Sequence, residues 1–311
     1  MPDGRLPAAP ASSRVVAASA AAWPAPSAVA ELIKPITWFP PMWAFACGAV
    51  ASGVPLADRW PQLVVGVLLA GPLVCATSQA VNDWFDRDVD AINEPQRPIP
   101  SGRMPGRSGL FVAIVWTLLS LLVAATLGTW GFAAAAFGLL LAWAYSAPPL
   151  RLKRNGWWGN AACGLCYEGL AWVTGAAVMA AGAMPDARTF VLAAMYSIGA
   201  HGIMTLNDFK AVTGDRQMGI RSLPVRLGVS RAARVACLFM ALPQALVVTA
   251  LVAWGAPAHA VAVGALLLLQ LVLMDRFVEA PTARALWYSG FGVPVFVAGM
   301  MVSAFALRSL A

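Results

Sequence analysis

Charge is scarce in this chain. Asp, Glu, Lys and Arg together supply only 11% of the 311 residues, against 60% hydrophobic residues and a mean hydropathy of +0.72. A soluble domain needs a far more polar surface, so a water-exposed globular enzyme is excluded. The common signatures of acyl transfer, nucleotide hydrolysis and zinc binding are also missing: there is no G-x-S-x-G elbow, no Walker A loop and no zinc-ligand spacing. Only five cysteines occur, Cys47, Cys75, Cys163, Cys166 and Cys237, all within apolar segments. Cys163-x-x-Cys166 has neither a second pair nor a nearby His, which makes these thiols apolar packers rather than a disulfide or a metal site. The isoelectric point near 9.6 does not imply a nucleic-acid partner, because the basic residues sit in short loops between apolar runs.

What the chain does have is membrane-length hydrophobic sequence. Runs able to cross about 30 Å of hydrocarbon fall at roughly 29–53, 62–84, 108–127, 130–147, 158–182, 188–208, 232–254, 258–274 and 286–307. The expected fold is therefore all-α and polytopic, with nine transmembrane helices in one membrane domain over 29–311. The Ala-, Pro- and Ser-rich residues 1–28 have no apolar stretch of signal-peptide quality and read as a disordered cytoplasmic tail. Placing the N-terminus in the cytoplasm leaves only Arg59, Arg188 and Arg308 of the 21 Lys and Arg residues outside, as the positive-inside rule requires.

Two acidic motifs interrupt this pattern. Asn82-Asp83 begins a run through Asp86, Asp88 and Asp90 at the end of the second span, and Asn207-Asp208 closes the sixth and leads to Asp215. At about 100° per residue, Asp83, Asp86 and Asp90 share one helical stripe, as do Asp208 and Asp215 if that helix continues. Asp88 points off the stripe and reads as a solvated neighbour. Spans two and six run in the same direction, so both motifs arrive at one membrane face, the cytoplasmic one. Carboxylates at an apolar helix end are costly unless they hold something cationic, and a divalent metal neutralises them best. Arg97, Arg103, Arg151, Lys153, Lys210 and Arg216 lie in the adjoining loops. Acids and cations in this mixture suit a metal-bridged diphosphate, with Mg2+ held by carboxylates and phosphate oxygens and with Arg and Lys as anion donors. A diphosphate handled at a membrane mouth implies a lipid-soluble tail, and a polyprenyl chain is the natural one. Tyr145, beside the Arg151/Lys153 loop, is placed either to bond the diphosphate or to anchor at the interface.

The spacing Asn82, Asp83, Asp86, Asp90 matches the N-D-x-x-D-x-x-x-D signature, and the chain thereby resembles the UbiA superfamily of intramembrane prenyltransferases. The stretches Asn93 to Gly102, Tyr145 to Lys153, Asn207 to Arg216 and Leu32 to Pro41 are similar to its chlorophyll and bacteriochlorophyll synthase branch. That resemblance, running from about residue 30 to the C-terminus, implies transfer of a geranylgeranyl or phytyl group from its diphosphate to the propionate of bacteriochlorophyllide a. It implies Mg2+ as cofactor, Asn82, Asp83, Asp86 and Asp90 as the first metal motif, and Asn207, Asp208 and Asp215 as the second. It also implies residence in a bacterial inner or intracytoplasmic photosynthetic membrane. One departure stands out: where many members have a second acid at i+4 after Asp208, this chain has Val212. His201, two helical turns before Asp208, and Glu168, inside the fifth span, are candidate tetrapyrrole contacts, each set against a purely structural role. Chlorophyllide as acceptor, and a membrane carrier with a faint internal repeat, are the competing readings.

Overall fold

The computed structural model describes residues 23–311. The expected tail over 1–28 lies mostly outside the described residues; its last residues already belong to α1 (Pro26–Leu32). The helices that follow are α2 (Phe39–Ala51), α3 (Leu56–Asn93), α4 (Ser108–Ala125), α5 (Gly128–Ser146), α6 (Gly156–Met179) and α7 (Ala187–Asp208). Two short helices, α8 (Val212–Gln217) and α9 (Leu223–Leu227), lead to α10 (Val229–Ala253), α11 (Pro257–Glu279) and α12 (Pro281–Ser309). Among the described residues no strand forms, and one isolated bridge joins Asn155 to Arg221.

Among the described residues, eight helices are long and apolar enough to cross a membrane, and α2 is a shorter apolar helix. The first expected span, 29–53, is broken at Lys34-Pro35. Proline cannot donate to the preceding turn and disfavours helical geometry in the residue before it. Lys34 accordingly sits at φ 46°, in the left-handed region. What remains, the 13 residues of α2, rises only about 20 Å.

Two of the long helices carry π turns, Leu69–Cys75 in α3 and Leu165–Leu170 in α6. In α3 the cause is Pro72, whose missing N–H and bulky ring are accommodated by the wider turn. Both π segments face the same internal cavity.

The main core joins α2, α6, α7 and α10 to α12 through buried side chains such as Trp172, Tyr196, Phe277 and Phe296. A smaller core packs α1 against α3, α4 and the loop after α3 through Leu32, Val81, Met104 and Val112. Without a hydrophobic driving force between helices in lipid, close backbone approach at small residues does much of the packing. Gly48 and Gly175 provide it between α2 and α6. A Cβ on Gly48 would lie 1.9 Å from the Trp172 carbonyl oxygen, and one on Gly175 would lie 2.2 Å from that of Phe45. Neither backbone can yield without separating the helices, so Gly175→Ala is expected to lower stability by about 1–3 kcal/mol. Thermal unfolding of the purified protein in detergent measures it, and an unchanged midpoint would contradict this packing.

Candidate active site

A cavity of about 720 Å³ lies between α2, α3, α5, α6, α7 and α12. Its deep wall is apolar, formed by residues such as Phe45, Leu69, Ala135 and Leu170, whereas its polar end gathers Asn82, Tyr145, Asn160, Asn207 and Asp208. Residues from both acidic motifs thus reach one space. The expected stripe on α3 exists: Arg97 Nη1 donates to Asp90 Oδ2 at 2.9 Å and to Asp83 Oδ1 at 3.4 Å, spanning two helical turns. Arg97 also pairs with Glu94 through Nε.

Each inward acid of the first motif meets a cation. Lys34 Nζ lies 2.6 Å from Asp83 Oδ1. Lys153 Nζ is 2.6 Å from Asp86 Oδ2, with Arg151 Nη2 3.9 Å from the other oxygen. Asp83 is only 2% exposed, and its Oδ2 has no hydrogen-bond partner. Asp88, by contrast, leaves its side chain 87% exposed beside Arg87.

Local backbone geometry places the basic residues. Arg151 is in the left-handed region at φ 39° and opens a single turn, Leu152–Arg154, that presents Lys153 to α3. The turn is tied down on its far side, because Arg221 N–H donates to the Arg154 carbonyl and Gly156 N–H to the Arg221 carbonyl, both at 2.9 Å. The segment between α8 and α9 therefore clamps the loop that carries Lys153. Burial holds the Lys153 amine below its ordinary value, with the neighbouring Asp86 carboxylate opposing that shift. Both non-glycine residues with left-handed backbone at this end, Lys34 and Arg151, are thus cations facing the α3 acids; such conformations cost about 1–2 kcal/mol each.

The second motif is arranged differently from the first. Helix α7 stops at Asp208, so Asp215 does not continue its face but sits on the separate helix α8. The expectation of one shared helical face depended on continuity that the chain breaks at Phe209–Ala211. Asp215 is buried, which pushes its carboxyl above the usual range while Ser222 opposes the shift. Asp208 is held by Asn160, whose Nδ2 lies 3.4 Å from Oδ2 and 3.1 Å from the Thr205 hydroxyl.

Other expected residues are scattered. Tyr145 lines the cavity. Arg103 is exposed and makes two bonds to Glu31, tying the loop after α3 to α1. Lys210 and Arg216 are exposed, and neither makes an ion pair among the described residues. His201 does not reach the cavity. Its Nε2 is 3.2 Å from the Trp157 carbonyl and its ring is stacked 4.6 Å from that of Phe239, so packing encloses it. Glu168 does line the cavity. Three further residues belong to the site without having been singled out for a role: Lys34 and Ser146, which fall within the Leu32–Pro41 and Tyr145–Lys153 stretches of the resemblance, Ser146 accepting from Asn82 Nδ2 at 3.3 Å, and Asn160. A lone amide within the apolar start of a span was the available signal for Asn160.

The donor set fits a hard divalent cation. It consists of carboxylate and amide oxygens, and Asp83 keeps one buried oxygen without a partner. Among the described residues no three His, Cys, Asp or Glu side chains form a ready metal cage. Magnesium does not need one, since it commonly takes one or two carboxylates and completes its shell with water and phosphate oxygens.

Comparison with known proteins agrees with this site. Residues 37–298 match the model of the UbiA prenyltransferase family. The chain is 58% identical over 287 residues to the bacteriochlorophyll synthase 33 kDa chain of Cereibacter sphaeroides, covering 92% of this chain and 95% of that protein. Its identity to the chloroplastic chlorophyll synthase of Arabidopsis thaliana is 39% over 291 residues, covering 89% of this chain and 73% of that protein. The fold resembles that of a UbiA homolog from Archaeoglobus fulgidus solved with DMAPP and Mg2+, at a TM-score of 0.63 and 20% identity over 91% of this chain and 99% of that one. With its acidic α3 motif, its basic loops and its apolar cavity all inside the matched region, the chain belongs to the UbiA prenyltransferase family.

Proposed function

We propose that this prenyltransferase esterifies the propionate of bacteriochlorophyllide a with a geranylgeranyl or phytyl group, releasing diphosphate. The observation that carries the reading is one cavity with an acid- and amide-lined mouth, a pinned basic turn beside it and an apolar interior. The 58% identity to a bacteriochlorophyll synthase chain, against 39% to a chlorophyll synthase, favours the bacteriochlorin acceptor.

In this reading the hydrocarbon tail lies along the apolar wall that α2, α3 and α5 form, the α6 side is left to the acceptor, and the diphosphate sits at the mouth. Lys153 and Arg151, with Tyr145 nearby, contribute donors to the phosphate oxygens; Lys34 and Arg97 balance the acids of α3. A propionate is ionised at neutral pH, so it attacks without an enzymic base. Its oxygen bonds to C1 of the prenyl group as the allylic C1–O bond breaks, and that bond's electron pair leaves with diphosphate. Asp83, Asp86 and Asp208, with the side-chain oxygens of Asn82 and Asn207, are assigned to hold Mg2+, which when bound supplies Lewis-acid stabilisation of the leaving diphosphate. Asp90 orients Arg97, and Asp215 supports the loop behind the second motif. The Lys and Arg distribution supports a cytoplasmic N-terminus and a cytoplasmic mouth, in a bacterial inner or intracytoplasmic photosynthetic membrane.

The test is pigment chromatography of membranes containing this chain, given bacteriochlorophyllide a, geranylgeranyl diphosphate and Mg2+. The expected result is an esterified pigment that EDTA abolishes and excess Mg2+ restores. Ester formed only from chlorophyllide a would reassign the acceptor. No ester from folded protein with either pigment would overturn the reading.

A further inference from the structure

Glu168 stands apart from the machinery at the mouth. It lies on the π turn of α6, is 3% exposed, and lines the cavity. Its Oε2 is buried without any hydrogen-bond partner. Asn160, which touches Asp208 at the polar end, is on the same helix, and a rise of 1.5 Å per residue puts Glu168 about 12 Å deeper. Leu170 and Ala171 follow it along the cavity wall, and the neighbouring polar groups on α6 are engaged elsewhere, the Tyr167 hydroxyl with Cys75 and Gln79 and the Thr174 hydroxyl with the Leu170 carbonyl. A carboxyl group in such a wall is unfavourable unless a ligand completes its hydrogen bonds.

The two substrates of the proposed reaction differ in what they offer at that depth. A prenyl tail is hydrocarbon and has no group that can bond to a carboxyl. The bacteriochlorin macrocycle carries ring carbonyls, and a carboxyl in its acid form donates through O–H to such an acceptor. We infer that Glu168 is a specificity-determining residue that binds a carbonyl substituent of the acceptor macrocycle, placing the ring so that its propionate reaches the cavity mouth. This rests on the esterification reading above. The alternative is internal: the indole N–H of Trp172, four residues further along α6, is also buried and unpartnered, and a bond between the two would make Glu168 a packing residue.

The experiment compares the wild type with Glu168→Gln and Glu168→Leu, each purified in detergent. Binding of bacteriochlorophyllide a is followed by its absorption shift, and KM is measured separately for pigment and for geranylgeranyl diphosphate. Glu168→Leu is expected to weaken pigment binding and raise its KM about tenfold, leaving KM for the diphosphate unchanged. Glu168→Gln retains an N–H donor and should stay within about threefold of the wild type. Unchanged pigment binding in a folded Glu168→Leu protein, or a rise confined to the diphosphate KM, would overturn the inference. A fall in thermal stability without a change in pigment binding would do the same and point to the Trp172 bond. Wild-type protein that makes no ester signals failure of the parent reading instead, so the two failures are separable.

Discussion

Asp83→Asn and Asp86→Asn are each expected to reduce prenyl transfer by on the order of 10³ or more while leaving the protein folded in membranes. The two substitutions preserve shape and remove charge at positions with different partners. Asp83 faces Lys34 and Arg97, and Asp86 faces Lys153 and Arg151. If these acids served only to neutralise those side chains, each variant would lose stability, because a cation would be left without its partner. Transfer per folded molecule would then change little. If they hold the metal and diphosphate, activity collapses far beyond any loss of stability: Lys34, Arg97 and Arg151 keep 23%, 24% and 30% side-chain exposure and can be solvated, and only Lys153, at 12%, is left short of a partner in Asp86→Asn. Measuring transfer and thermal unfolding on the same preparations separates the two. A direct check is Mn2+ binding followed by electron paramagnetic resonance in the presence of a prenyl diphosphate: it should weaken in both variants. Full activity in both would remove the metal assignment.

How much of this site was readable beforehand depends on how far apart its partners lie in the chain. The alignment of Asp83 with Asp90 follows from helical periodicity, a local property, and Arg97 bridging them is the physical expression of that stripe. The exposure of Asp88 follows from the same periodicity. The pairing of Lys34 with Asp83 across 49 residues, and of Asn160 with Asp208 across 48, depends on how α1, α3, α6 and α7 pack. No local pattern contains it. Apolar length also misleads where backbone chemistry intervenes. The run 29–53 reads as one span by hydropathy, yet Pro35 breaks it into α1, a single turn and α2, and this break turns Lys34 toward α3. The end of α7 at Asp208 has the same character, since hydropathy and spacing allow a continuing helix that the chain does not form.

The cation side of the site carries the second large effect. Lys153→Met is expected to lower kcat/KM for the prenyl diphosphate by about 10²–10³, with stability unchanged or slightly raised. Lys153 is the more deeply placed cation beside Asp86: its side chain is 12% exposed against 30% for Arg151, and its amine is 2.6 Å from the carboxylate against 3.9 Å. Burial makes the charged form of that amine unfavourable and holds it below its ordinary value, with the Asp86 carboxylate opposing the shift. A methionine of similar length removes this cost while Arg151 stays beside Asp86, which is why folding should not suffer. The amine repays its burial only when a polyanion arrives, and most strongly when charge builds up on the departing diphosphate. The loss should therefore appear in kcat as well as in KM, and a substitution that raised KM alone would place Lys153 in ground-state binding. Lys153→Arg should recover only part of the activity, because a planar fork does not replace a compact ammonium in a turn pinned by the Arg154–Arg221 backbone bond. Steady-state kinetics of both variants at saturating pigment would decide it, and wild-type values of both kcat and KM for the diphosphate in Lys153→Met would exclude Lys153 from the reacting end of the cavity.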